Sequence, residues 1–515
     1  MNIALPWRRR PAPPELSPLR RQARRQGWVS AVLPIFVMLL GATLIGFITG
    51  VYGNSFHERP NLLLALPLVL ALGVCFAFSR TGLLLAVLFF RALLDPLLAS
   101  ARMGTGPGLG GVVNGLILLL VLCLVFDAKR TPFKEVGKLW LPLLAMYAIG
   151  ILFAPHKGEA IRSSLAMLTY PATFLVGARL TQKPQDFLRV AFFIVASAAL
   201  VNLYALVGVA TNEALWRVYF SGRRLMGGFP HPNIMAFYEV MIIALSMYLL
   251  NQHAQLASRW KTALTAFVLL TALATLLLTQ TRSAWLATFV LFLLYSWFVN
   301  RKLLPLILVA PLFALLLPEV RDRLMELQTG NEAVGWAKLN SYAWRKLMWT
   351  SAIDFMGPSK FITGYGLGSF VVHSPTFFPL AGRSAFGAHN VYVQLLFELG
   401  VGGVLALLWL LGSVLVTAWR MQPSAVRGLL LFLVIMFLIV CWSDNMLDYL
   451  VFNIYLFYVL GAGWSLGRAL QRETPAEPAA PAAPAAPAAP AGRAKPLRRH
   501  PPPWSALPPP PSLRS

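Results

Sequence analysis

In the stretch GAHNVYVQLLFELG, residues 387–400, an apolar run opens on His389, Asn390, Gln394 and Glu398. Asn390, Gln394 and Glu398 are spaced i, i+4, i+8, so a helix stacks them along one face while Val391, Leu395 and Leu399 point elsewhere. A carboxylate at membrane depth is costly, so that face is expected to line a cavity or to meet a cation. His389 then stands at the mouth, and an imidazole can take a proton from an attacking hydroxyl near neutral pH, which is general-base work. The structural alternative makes His389 a helix-start residue and the polar ladder an interhelical tie. Glu398 could itself be the base or orient an arginine. Asp444 and Asp448, in WSDNMLDY, could do the same and read as structural partners first.

Four arginines form the second constellation. Arg223 and Arg224 lie in SGRRLMGGFPHPN, Arg282 in TQTRSAW and Arg345 in SYAWRKLMW. A guanidinium is a planar, permanently charged fork suited to phosphate oxygens, so several converging on one membrane face would make a diphosphate site. Taken singly, each reads equally as a headgroup contact or a snorkelling side chain. Within GGFPHPN the glycines and prolines break the chain just before an apolar run, and Asn233 is placed to cap the helix that follows. His231, between two prolines, reads as a structural residue before a ligand or base. Arg91 and Asp95, four residues apart in FFRALLDP, are expected to neutralise each other.

These residues need elements to hold them. Of 515 residues, 57% are hydrophobic and only 12% charged, a balance that excludes an ordinary soluble domain and points to an all-α polytopic membrane protein. Apolar runs fall near 30–52, 62–79, 83–98, 111–127, 138–154, 163–181, 190–211, 233–251, 262–279, 284–300, 303–317, 391–419, 428–442 and 450–467. That is about 12–14 transmembrane helices, each spanning about 30 Å of hydrocarbon. The formal net charge of +25 reads as positive-inside topology, with no nucleic acid as partner. Arg8, Arg9, Arg10, Arg20, Arg21, Arg24 and Arg25 precede the first run and set the N-terminus in the cytoplasm; the same count sets the C-terminus there too. A cleaved signal peptide is not expected, because the first run has full span length. The segments 212–232, 280–283 and 318–388 fall on the outer face, and with them the four arginines. Cys75, Cys123 and Cys441 lie inside apolar runs and build neither a disulfide framework nor a metal site.

Three regions follow: a basic cytoplasmic segment, 1–27; a transmembrane domain, 28–467, containing the large outer segment 318–388; and a Pro/Ala-rich tail, 468–515, that cannot bury a core and is read as disordered and cytoplasmic.

The motifs resemble those of the bacterial O-antigen ligase and O-antigen polymerase superfamily. RLMGGFPHPN is similar to its Arg-x-x-Gly-x-Phe-x-x-Pro-Asn segment, matching at Arg224, Gly227, Phe229, Pro232 and Asn233. LLTQTRSAWL is similar to its Thr/Ser-x-Arg piece at Arg282, and RKLMW to its Arg-x-x-x-Trp piece at Arg345 and Trp349, followed by the Gly-rich GYGLGSF. HNVYVQLLFELG looks like its His-Asn opening of an acidic helix, with His389 and Gly400 at the two ends. The resemblance covers roughly residues 190–465 and implies a membrane glycosyltransferase. Its donor would be an undecaprenyl diphosphate-linked glycan and, in the ligases, its acceptor lipid A-core, with the reaction at the periplasmic side of the inner membrane completing lipopolysaccharide.

On that resemblance His389 is the base, and Arg224, Arg282 and Arg345 stabilise the diphosphate. Arg223, His231, Asn233, Asn390, Gln394 and Glu398 support them, with no cofactor and no metal. The long basic start and the Pro/Ala tail depart from the family's compact form. A polymerase using the same donor, a protein-directed oligosaccharyltransferase and, from another class, a lipid or solute transporter are the competing readings. Clustering of the polar residues toward one face favours the enzyme over the transporter.

Overall fold

The computed structural model of the chain describes residues 79–473, with gaps at 101–108, 128–131, 212–214, 220–221, 257, 326–327, 329, 331–338 and 423. The apolar runs expected near 30–52 and 62–79, save Ser79, lie outside the described residues, as do the arginine-rich start, Cys75 and the tail beyond Glu473.

The described helices of eight residues or more are α1 (Arg80–Phe90), α2 (Leu109–Asp127), α3 (Phe133–Leu152), α4 (Lys157–Met167), α5 (Thr169–Leu180) and α6 (Pro184–Thr211). After a hairpin come α7 (Pro232–Asn251), α8 (Arg259–Leu278), α9 (Arg282–Phe298), α10 (Leu304–Ala314), α11 (Pro318–Met325) and α12 (Ser341–Phe355). Then follow α13 (Ser369–Phe377), α14 (Val391–Trp419), α15 (Ala425–Val440) and α16 (Leu450–Glu473). Six of them, α3, α6, α7, α8, α14 and α16, are long and apolar enough to cross a bilayer; α1, α15 and the Gly110–Phe126 stretch of α2 are shorter apolar helices. The chain is an all-α polytopic membrane protein. Among the described residues the β-structure is the antiparallel hairpin β1 (Trp216–Tyr219) and β2 (Gly222–Leu225), in which Arg217 pairs with Arg224.

Two helices form the interior. In α7 94% of the apolar window is buried and in α16 89%, against 28% in α3 and 33% in α8, which turn apolar faces outward. Their buried polar side chains, Glu239 and Ser246 in α7 and Asn453 in α16, suit the interior of a bundle and not its lipid-facing rim. α16 meets α5 backbone to backbone at two glycines: a Cβ at Gly177 would meet the Tyr458 carbonyl oxygen, and one at Gly461 the Phe174 carbonyl oxygen. Small residues permit this approach where no hydrophobic force draws helices together.

Several expected runs are interrupted. The run near 83–98 turns at residues 91–94, where the buried Arg91 bonds Asp95 at 2.7 Å. The Tyr455 hydroxyl of α16 serves the freed backbone there, donating to Leu88 O and accepting from Ala92 N. The run near 163–181 is two helices, α4 and α5, meeting at Leu168. α10 has eleven residues with Pro311 inside it, too short for a span.

α14 is broken at Gly400, where φ is 69° and ψ −171°. The carbonyls freed by the break are taken up by the connection between α12 and α13: Tyr365 N donates to Phe397 O and Gly366 N to Glu398 O, each at 2.9 Å, while Leu367 N donates to Gly150 O of α3 at 3.0 Å. Irregular backbone at this depth is admissible because protein covers it. Gly364, Gly366 and Gly368 all have positive φ, which explains the glycine spacing of GYGLGSF. Residues 341–388 are therefore folded onto the bundle, around a second aromatic core that includes Phe370, Phe378 and Phe397.

On the other side of the bundle, helix ends carry cation–aromatic pairs: Lys261 over Trp260 and Phe192, Arg301 over Trp297, Arg427 over Trp419 and Arg468 over Trp464. Such pairs are typical of a membrane–water interface.

Candidate active site

Pro232 takes the first position of α7, which its fixed φ suits, so the residue before it becomes the cap. His231 Nδ1 accepts from Asn233 N at 3.1 Å, correcting the expectation that Asn233 caps. Asn233 is released to bridge. Its Oδ1 accepts from the Arg224 guanidinium at 2.8 Å, and its Nδ2 donates to Asp444 Oδ2.

Arg224, on β2 and buried, also donates from Nε to Thr279 O and from Nη2 to Thr281 Oγ1, both at 2.8 Å. Those acceptors lie in the turn between α8 and α9, built around Gln280 at φ 50°. Arg223, next to it, is exposed.

His389 also has positive φ, 48°; with Gln280 it makes the two such non-glycine residues among those described, and both border this network. The position is held on both sides. Trp349 Nε1–H, from α12, donates to Ala388 O at 2.7 Å, and Asn390 N donates to Asn445 Oδ1 at 3.0 Å. Asn390 Oδ1 then caps α14, accepting from Tyr392 N and Val393 N.

His389 Nδ1 meets Asp444 Oδ1 at 3.1 Å. The same carboxylate accepts from Asn445 N at 3.0 Å and faces the Tyr449 hydroxyl. Burial by itself would raise the Asp444 carboxyl, but the hydrogen bond and charge of His389, the charge of Arg345 and the Tyr449 bond override it and hold the group well below the usual carboxylate range. With Asp444 ionised the bond requires a proton on Nδ1, so in the neutral ring Nε2 is the free acceptor. Asp448, whose side chain is exposed, goes the other way: the protein crowded around it and the charge of Asp444 push it up to about 6 against Asn445, His389 and Gln394.

Gln394 stands between Asp448 and Glu398. Glu398 is buried and faces the amides of Gly368 and Phe370 in the glycine-rich turn. In place of the cavity or cation expected for that face, Glu398 meets backbone dipoles at a helix start.

Arg282 begins α9 and donates to Arg323 O at 2.9 Å and to Ser341 Oγ at 2.7 Å, tying α9 to the first turn of α12. Arg345 lies one turn further along α12. Its charge reaches Asp444 and Tyr449, yet its guanidinium makes no hydrogen bond or ion pair among the described residues.

The structure thus joins Arg224, Asn233, Asp444 and His389 in one bonded chain, brings Arg345 within electrostatic reach of it, and links Arg282 to it through Thr281 and α12. From sequence, Asp444 reads as a structural partner first, with base or arginine-orienting work as the alternative, and its tie to His389 is not among the expectations. Its bond to Asn233 crosses 211 positions, so no local spacing could reveal it.

Residues 267–410 match the family model for O-antigen ligase. That match supports the O-antigen ligase and polymerase superfamily. Its members are membrane glycosyltransferase-like enzymes. The matched domain contains Arg282, Arg345, His389 and Glu398, whereas Arg224, Asn233 and Asp444 flank it in sequence and join it through the bonds above. No curated protein matches the chain.

Proposed function

We propose that the protein is an O-antigen ligase, transferring a glycan from undecaprenyl diphosphate to lipid A-core at the periplasmic face of the bacterial inner membrane, with both termini in the cytoplasm. The observation that carries the chemistry is the Asp444–His389 pair, set beside an arginine whose charge is not spent on a bonded partner.

An acceptor hydroxyl gives its proton to His389 Nε2 as its oxygen attacks the anomeric carbon. The bond from that carbon to the diphosphate breaks, and the carrier diphosphate leaves with the electron pair. Asp444 fixes the ring and stabilises the imidazolium that forms. Arg345 meets the negative charge of the leaving group. Arg282 holds α12, and so Arg345, in place. Arg224 is committed to Thr279, Thr281 and Asn233, and its part is to position Asp444 and the α8–α9 turn.

The test is transfer by purified protein supplied with carrier-linked glycan and lipid A-core. His389→Ala and Asp444→Asn should each lower kcat by roughly 100-fold or more in protein that still folds, with Asp444→Asn melting lower because it gives up the bonds of an ionised carboxylate. Elongation of a second carrier-linked glycan in place of lipid A-core would make the protein a polymerase. Full activity in His389→Ala would remove the base from this account.

A further inference from the structure

Trp344 immediately precedes Arg345 on α12. Its ring is half-buried, packed edge-on against Phe378 (centroids 5.1 Å apart) and Phe386 (5.3 Å), and its centroid lies 6.2 Å from that of the His389 imidazole. The helix under it is fixed by the Asn340 cap, which accepts from Tyr342 N and Ala343 N, and by the Arg282–Ser341 bond.

The two tryptophans of this helix that approach the site differ in one respect. Trp349 spends its indole N–H on Ala388 O and serves as a post under His389. The N–H of Trp344 is not buried and has no hydrogen-bond partner among the described residues. A rigid, partly exposed indole with a free donor combines an apolar face for the C–H groups of a pyranose with a hydrogen bond for one of its hydroxyls.

We infer that Trp344 is the platform on which the acceptor's terminal sugar ring rests, presenting its hydroxyl to His389. The inference rests on the ligase reading and adds a binding subsite to it. The ring beside His389 must be the one whose hydroxyl loses a proton there, which is the acceptor's; the donor's diphosphate belongs with Arg345. A residue that only filled the aromatic core would have no reason to keep its polar edge toward water.

Trp344→Leu and Trp344→Phe are compared with wild type in full-length protein in lipid nanodiscs, titrating donor and acceptor separately. In Trp344→Leu the KM for lipid A-core should rise about tenfold, with kcat within about threefold and the donor KM unchanged. Trp344→Phe, which keeps a ring but not the N–H, should fall between the two and retain the wild-type melting temperature. An unchanged acceptor KM, a loss confined to kcat, or a shift in the donor KM would each overturn the assignment.

Calorimetric binding of delipidated core oligosaccharide separates this inference from the ligase reading. Binding that persists in His389→Ala and weakens in Trp344→Leu supports the platform even if wild type transfers nothing. Equal binding by wild type and Trp344→Leu, or no binding by wild type, refutes it.

Discussion

Asp444 and Asp448 are four residues apart in one short connection, yet their surroundings drive them in opposite directions. Asp444 collects His389, Asn233, Asn445 and Tyr449 and stays ionised, whereas Asp448, exposed but close to that charge, holds its proton up to about 6. The consequences for stability have opposite signs. Asp444 contributes stability in full above about pH 4, the range of an unfolded aspartate, and that contribution fades as pH falls toward its lowered folded value. Asp448 binds its proton more tightly folded than unfolded, so its contribution is present below about pH 4 and is lost as pH rises through about 6. Asp448→Asn should therefore match wild type near pH 4 and exceed it above pH 7, by no more than about 1 kcal/mol because solvent screens an exposed carboxyl. Unfolding midpoints in detergent between those limits check this, and a stability difference that does not vary with pH would count against a raised Asp448.

At the scale of elements, the break in α14 is a splice between a membrane helix and the glycine-rich connection between α12 and α13. Gly400 and Gly364 lie against opposite backbones: a Cβ on the first would meet the Ile362 carbonyl, and one on the second the Glu398 carbonyl, with φ positive at both. Gly400→Ala and Gly364→Ala should each cost about 2 kcal/mol or more. Gly412→Ala, further along α14 with open space around it, should be neutral or mildly stabilising. Thermal unfolding of the three variants decides, and equal melting of Gly400→Ala and Gly412→Ala would mean the splice bears no load. The helices themselves were legible because a long apolar run has few alternatives in a bilayer. The cap expected at Asn233 falls on His231 instead, because Pro232, which favours the first helical position, leaves the residue before it as cap. What could not be read was pairing across distance. The Gly-rich turn gave no hint that its amides would serve Phe397 and Glu398, and nothing around Asp444 pointed to Asn233. Such bonds depend on which helix ends meet, and periodicity carries no information about that.

For the whole molecule, the helix alternation gathers the connections at 222–231, 279–281, 341–349, 389–390 and 441–449 on one side, and the network that links them hangs mainly from the two inner helices. Asn233 starts α7, and Asp444 and Tyr449 lead into α16, while the cation–aromatic pairs anchor helix ends on the other side. Because α7 and α16 have almost no surface to offer lipid, a bilayer that is too thick or too thin acts first on the outer helices, which can tilt. Hydrophobic mismatch thus has little purchase on the spacing of Asn233, Asp444 and His389. The turnover number in nanodiscs of shorter and longer acyl chains should change by less than about twofold, and a sharp optimum at one thickness would show that strain does reach the pair. Buried inner helices give this site a datum of its own: the distance over which a proton must move is set inside the protein and does not vary with the membrane that holds it.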